Sequence, residues 1–204
     1  EGRQDTANRK VIELGAGVGF PSIAFAKAAQ YHKKEASNNA DVCVRHNNPP
    51  IIVATDISNA SLVLITSNAH NNGVGNLVTA INANHTDSNS LSLLSQQLTS
   101  SVDGNAIEDG FDVVLGSSLQ ALFDGTSRQS ALLWHSLDAI LSKSNPTAVV
   151  LISHVRTGNE KIELPPAPER LFECVRRVSG DHFGMKTRDG HSSDFELVLL
   201  RRTR

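Results

Sequence analysis

Cysteine is scarce. The 204 residues hold only Cys43 and Cys174, far apart and outside any CxxC or Cys/His ligand spacing, so neither a disulfide framework nor a metal site is expected. That usage fits a reducing, intracellular compartment, the cytoplasm first and the nucleus second. Long apolar runs are missing too. The stretch 148–152 is among the longest, far below the roughly 18 residues of a membrane span, and no signal or transit pattern is visible. Charge of one sign is also lacking. Lys plus Arg is 19 and Asp plus Glu is 21, a net of −2, so electrostatics gives no case for nucleic acid or for a membrane surface as a partner. What is present is ordinary globular material. The apolar fraction is 39%, or about 46% with the 14 glycines added, enough for one domain spanning residues 1–204, with a monomer as the default state. The first residue is Glu1 rather than Met, and a buried-strand pattern begins almost at once, so natural N-terminal sequence is expected to be missing.

Strand and helix signals alternate along the chain. Residues 10–14 form a short apolar strand running into Gly15-Ala-Gly17-Val-Gly19, and 21–30 have helical character, with Pro21 suited to a first turn. Residues 32–50 turn to His, Lys, Asn and Pro, an exposed insertion. A β-branched strand at 51–55 ends at Asp56, a helix at 60–70 precedes Asn72-Gly73, and 77–81 is a third strand. Residues 88–101 are rich in Ser and Leu, either a short helix or a connector. A fourth strand at 111–115, a helix at 127–142 and a fifth strand at 148–153 follow. A helix at 168–178 and two strands at 182–186 and 195–200, joined through a turn containing Gly190, close the chain. Alternation of this kind predicts an α/β fold: a doubly wound, mostly parallel seven-stranded sheet with helices on both faces and an antiparallel C-terminal strand pair.

A glycine-rich turn between the first strand and the first helix lets a ligand approach the backbone and presents helix N–H groups to it. In a doubly wound sheet such a ligand lies at the carboxyl ends of the strands. Asp56, at the end of the second strand, stands where a carboxylate accepts hydrogen bonds from ribose hydroxyls; the lesser alternative is a helix N-cap, with Ser58 sharing the role. The dinucleotide fingerprint G-x-G-x-x-G requires a third glycine at position 20, and Phe20 stands there. That counts against NAD.

The glycines instead fall at 15, 17 and 19 behind Glu13, giving E-L-G-A-G-V-G. This pattern resembles the first motif of class I, seven-β-strand methyltransferases, a Rossmann-like fold that uses S-adenosylmethionine. The stretch Val11-Ile-Glu-Leu-Gly-Ala-Gly-Val-Gly-Phe-Pro-Ser-Ile23 is similar to that of the lysine methyltransferase-like group, methyltransferase family 16, and Leu64, Asn68 and Asn72 match that group's spaced positions. The resemblance covers residues 10–200. It implies that Glu13 helps hold the methionine end, that Gly15, Gly17 and Gly19 admit the sugar, that Asp56 binds the ribose, and that Asn82 contacts the adenine, although Asn82 reads equally as a turn residue. It further implies a protein substrate methylated on a side chain, lysine first and histidine second, with Ser117 and Ser118 facing the transferred methyl.

The pattern departs from the family after the fourth strand. The family's D-x-x-Y is replaced by Ser118 and Ala121, so no catalytic residue is assigned and a catalytically silent, cofactor-binding scaffold is the alternative. The family's Trp-containing segment before the first strand would lie upstream of Glu1, and Ile81-Asn82-Ala83 replaces its Trp after the third strand. Asn48-Pro49-Pro50 resembles the N-P-P motif of amino-group nucleic-acid methyltransferases but precedes the second strand and is followed by Ile51; it reads as a loop. His154 and Arg156 follow the fifth strand, as surface residues or substrate contacts.

Overall fold

The computed structural model describes residues 9–38, 49–87, 89–90, 94, 109–117, 119, 127–155, 171–179, 182 and 195–203. Its strands are β1 (Lys10–Leu14), β2 (Ile51–Asp56), β3 (Val78–Asn82), β4 (Val113–Ser117), β5 (Val149–Val155), β6 (Phe172–Ser179) and β7 (Phe195–Arg202). Its helices are α1 (Phe20–Asn38), α2 (Asn59–Asn71) and α3 (Ser127–Ile140). The strands make one sheet in the order β3-β2-β1-β4-β5-β7-β6. All pairings are parallel except β5 with β7 and β6 with β7, as the alternation predicts. The order reverses between β1 and β4, so the ends of those two strands are the topological switch point.

Side-chain alternation sorts the central strands into two cores. Val11, Ile52, Ala54 and Leu115 pack under α1 and α2, against Ile23, Ala26 and Ile65. Ile12, Leu14, Val114, Val150 and Ile152 face the other way, onto Leu133, Trp134 and Leu137 of α3. Strands buried on both faces read as continuous apolar runs, which is why β1, β2 and β4 were visible in the sequence.

Three expectations are corrected. The helix expected to stop near residue 30 runs on to Asn38, and residues 31–34 are helical and exposed. Residues 39–48 of the expected insertion lie outside the described residues. Residues 172–178 of the helix expected at 168–178 belong to strand β6, paired with β7 through a bulge between Cys174 and Arg176, and 168–170 lie outside the described residues. The bulge inserts Val175, shifts the side-chain phase by one, and leaves Phe172, Val175 and Val178 at a spacing that imitates a helical stripe. The strand expected at 182–186 is therefore not β7's described partner; of those residues only His182 is described. Of 88–101, residues 89, 90 and 94 are helical, and Leu94 is buried. No helix among the described residues is long and apolar enough to cross a membrane, and they hold no cluster of metal-ligating side chains.

Candidate functional site

The turn after β1 works through backbone geometry. Gly15, Gly17 and Gly19 have φ of 61°, 56° and 77°, the left-handed region that glycine enters without a steric penalty. Ala16 N–H donates to the Thr55 carbonyl at 2.8 Å, so the turn extends the β1–β2 ladder by one bond before α1 begins. From α2, Asn68 Nδ2 donates to the Val18 carbonyl at 3.0 Å, and Asn72 caps the end of that helix. Two of the spaced positions in α2 thus brace the glycine turn and close the helix.

Glu13 lies fully buried beneath the first turn of α1. Its Oε2 accepts the Ser22 N–H at 2.9 Å, a charge-assisted bond at the positive end of a helix. Its Oε1 has no hydrogen-bond partner among the described residues. Burial pushes the carboxyl up to about 6, Ser22 works against that rise, and the Asp56 charge adds to it. At neutral pH the group is therefore mostly an anion with one oxygen unmatched, a costly arrangement relieved by a donor from a ligand or by the buried Ser22 hydroxyl, which has no other partner among the described residues.

Asp56 is 9% exposed. Oδ2 accepts Gly17 N–H and Oδ1 accepts Ser58 N–H, each at 2.8 Å. The N-cap of α2 is Ser58, not Asp56, with its hydroxyl accepting from Ser61 N. Since an ionised carboxylate offers about four acceptor directions, Asp56 fixes the glycine turn and keeps capacity for two more donors. Asn82 Nδ2 donates to the Ile57 carbonyl at 3.0 Å, so it holds the loop after β2 in place beside Asp56.

Sequence reading missed a second layer beneath these groups. The Thr55 hydroxyl donates to the Glu13 carbonyl at 2.6 Å and meets His85 Nε2 at 2.8 Å. A hydroxyl has a single proton, already committed to that carbonyl, so His85 donates from Nε2. Burial holds the imidazole down at about 4, the Asp56 charge working the other way. A neutral histidine thus locks the strand ends from which Glu13 and Asp56 project. His85 lies in a polar loop, and nothing in the local pattern marked it.

A cleft of about 550 Å³ opens over the switch point, lined by Glu13, Gly15, Gly17, Phe20, Ser117 and Ser153, with Leu115, Leu151 and Leu197 as its apolar floor. Ser153 Oγ donates to Ser117 Oγ at 3.2 Å across in-register β4 and β5. Ser118, Ala121 and Arg156 lie outside the described residues. The structure brings Glu13, Gly15, Gly17 and Ser117 into one cleft. Asp56 joins them through Gly17, and Gly19 closes the turn against α2; Asn82 does not line the cleft but is the register partner of Asp56 across β2 and β3.

No family model matches the sequence, nor does any curated protein. Solved structures do match the fold. Glycopeptide N-methyltransferase MtfA complexed with sinefungin aligns with a TM-score of 0.57 at 13% identity, over 98% of this chain and 83% of that one. TrmN from Thermus thermophilus aligns at 0.56 and 14% identity over 96% of this chain, which spans only 44% of that protein. A ribosomal protein L11 methylase from Lactobacillus delbrueckii subsp. bulgaricus aligns at 0.52 and 20% identity, over 97% and 71%. The fold is the seven-stranded, Rossmann-like methyltransferase fold.

Proposed function

We propose that this chain is an S-adenosylmethionine-dependent methyltransferase acting on a protein side chain, with lysine as the acceptor. The observation that carries the reading is the unmatched Glu13 Oε1, buried in the wall of a cleft beside three left-handed glycines. It can take a donor from a ligand, such as the methionine ammonium of the cofactor, beside the Ser22 hydroxyl that also meets the carboxyl. Asp56, with two acceptor directions open, suits a ribose diol. When bound, the cofactor supplies a methyl group activated by a sulfonium.

The chain's own part is to bind and orient. Gly15 and Gly17 let the sugar approach the backbone, Glu13 holds the amino end, and Asp56 fixes the turn and the ribose together. Asn82 braces the loop on the adenine side. An acceptor amine has a reference pKa of about 10.4 and must shed its proton before attack; the reading assigns no general base and rests the rate on proximity and orientation. The protein acceptor is supported by the family resemblance of residues 11–23 and of Leu64, Asn68 and Asn72. The named activities of the structural neighbours range over a glycopeptide, a ribosomal protein, an rRNA and a small amino acid, and so do not select the acceptor.

A second reading is a cofactor-binding scaffold without turnover, favoured by Ser118 and Ala121 in place of the D-x-x-Y pair. Calorimetric titration with S-adenosylmethionine, with NAD as comparison and with an Asp56→Ala variant, tests the cofactor. Saturable binding to S-adenosylmethionine alone, weakened in the variant, is expected. Transfer of labelled methyl into lysate protein, followed by peptide mass spectrometry, separates lysine from histidine and both from a silent scaffold.

A further inference from the structure

Residues 57–86 contain no Asp, Glu, Lys or Arg, in a chain that is 20% charged. They include α2 and β3, and they expose Ile57, Val63 and Leu64. A solvated surface is normally laced with charge, whereas charge is depleted where another protein covers a surface.

β3 is one edge of the sheet. Ala83 N–H donates to the Asp56 carbonyl at 3.1 Å, which sets the phase of the parallel ladder: Thr79 and Ile81 turn their backbone groups toward β2, and Val78, Ala80 and Asn82 turn theirs outward. Those outward groups have no backbone partner among the described residues. The other edge is defended. β6 carries a bulge, and its Arg177 and Glu173 form ion pairs with Glu196 and Arg201, devices that keep an edge from pairing. β3 has no charge, proline or bulge.

Between β3 and α2 lies a groove of about 590 Å³. Its helical wall is Val63, Thr66, Ser67 and His70, spaced i, i+3, i+4 and i+7 and so forming one stripe of the helix. Val78 and Ala80 line its strand side.

We propose that this edge pairs antiparallel with the same edge of a second copy of the chain, Ala80 meeting Ala80 on the two-fold axis and Val78 meeting Asn82 of the other copy. Self-complementarity selects that occupant. A two-fold axis sets like groups against each other, which a charged edge forbids and this uncharged one permits. α2 packs on β2 and β3 through Ile65 and Ala69, so with strands about 4.8 Å apart the two copies of α2 would lie about 10 Å from each other, close to the distance at which helices pack. The small side chains of the stripe then meet across the axis. One helix about 20 Å long and one strand edge make a patch smaller than the roughly 800 Å² per partner of a standard interface, so the dimer is concentration-dependent in place of the default monomer. The inference does not depend on the proposed cofactor, whose cleft lies over β1 and β4.

Sedimentation velocity on the full chain from about 1 to 300 µM tests it, the range suited to a micromolar dissociation constant. A monomer-to-dimer shift is expected, and the amides of Val78, Ala80 and Asn82 should exchange with solvent more slowly in the dimer than at dilution. Val63→Lys, whose parent side chain is 68% exposed, places like charges in the seam between the helices and should weaken the dimer about tenfold or more. Thr79→Lys, at an exposed position on the other face of β3, should weaken it too. Val175→Lys, in the exposed bulge of β6, should leave it unchanged. A chain that stays monomeric throughout overturns the proposal and leaves the edge to a strand of another protein. A dimer that survives both lysine variants on α2 and β3, or whose β3 amides gain no protection, forms elsewhere and overturns it as well. Equal protection at every dilution does the same, because the edge is then covered within one chain.

Discussion

Gly19 and Ile65 meet where the glycine turn lies against α2: a β-carbon on Gly19 would stand 3.1 Å from Ile65 Cγ2 and 3.2 Å from Cγ1. Ile65 is fully buried, so it must shift within the core to admit that carbon. At Gly17, whose φ is equally left-handed, a β-carbon would meet nothing within 4 Å.

The two glycines therefore separate backbone strain from crowding. Gly17→Ala should cost about 1–2 kcal/mol, the left-handed penalty alone. Gly19→Ala should cost about 2–4 kcal/mol, because overpacking a full core adds to that penalty. Urea unfolding of both variants checks the order. Equal losses would mean that Ile65 yields without cost.

Asp56 joins the turn to α2 by accepting from both Gly17 and Ser58. Asp56→Ala leaves those two N–H groups without their charged acceptor, which at about 1.5–3 kcal/mol per such bond predicts a clear fall in Tm. Asp56→Asn keeps one acceptor oxygen and should fall between the two. If the carboxylate also holds the ribose, S-adenosylmethionine affinity drops more than tenfold in both variants; a Tm loss with unchanged affinity would leave Asp56 as a brace only.

Glu13 and His85 set opposite pH slopes. His85 is held down at about 4 from 6.5, so as pH falls below 6.5 the unfolded chain gains a proton that the folded chain refuses. Stability is lost on that limb, by about 3 kcal/mol in total at 1.36 kcal/mol per pKa unit. Glu13 is raised from 4.5 to about 6. Between those values the folded chain holds the extra proton, so stability falls as pH rises, by about 2 kcal/mol. His85→Gln should flatten the acid limb of a Tm-against-pH curve. Glu13→Gln should raise Tm at pH 7 relative to the parent while weakening cofactor binding. Curves parallel to the parent's in both variants would refute the assignment.

What could be read from the sequence was what repeats or what clusters. β1, β2 and β4 are buried on both faces and announce themselves as apolar runs, as does the half-buried β5, and Glu13 to Gly19 is contiguous. The far end of α1 is exposed at residues 31–34, so no apolar stripe marked it, although Ala, Lys and Glu there are good helix formers. β6 is an edge strand whose bulge disrupts the alternation on which strand reading depends. His85 and Ser153 are functional candidates only by where the fold carries them: one under the ends of β1 and β2, the other beside Ser117. Neither has a sequence neighbour that could have announced it.

Arg202 closes the fold at the opposite face. From β7 its Nε donates to Asp138 Oδ1 at 2.7 Å, Nη1 to the Ser142 carbonyl at 3.0 Å, and Nη2 to the Asp138 and Leu141 carbonyls at 2.7 and 3.3 Å. The carbonyls at the end of α3 carry the negative end of its dipole and have no helical partners, so the guanidinium answers both charge and hydrogen-bond demand. The ion pair itself is about a quarter to a third exposed and is screened, worth about 0.5–1 kcal/mol. The carbonyl bonds are the larger share. Asp138→Asn should therefore cost less than about 1 kcal/mol, and the difference should shrink at high salt. Arg202→Ala should cost about 2–3 kcal/mol with little salt dependence, and Arg202→Lys should recover only part of it, since an ammonium cannot fork across two carbonyls. Denaturant unfolding at low and high salt distinguishes the cases: equal losses for Asp138→Asn and Arg202→Ala would mean that the ion pair, not the helix cap, holds β7 to α3.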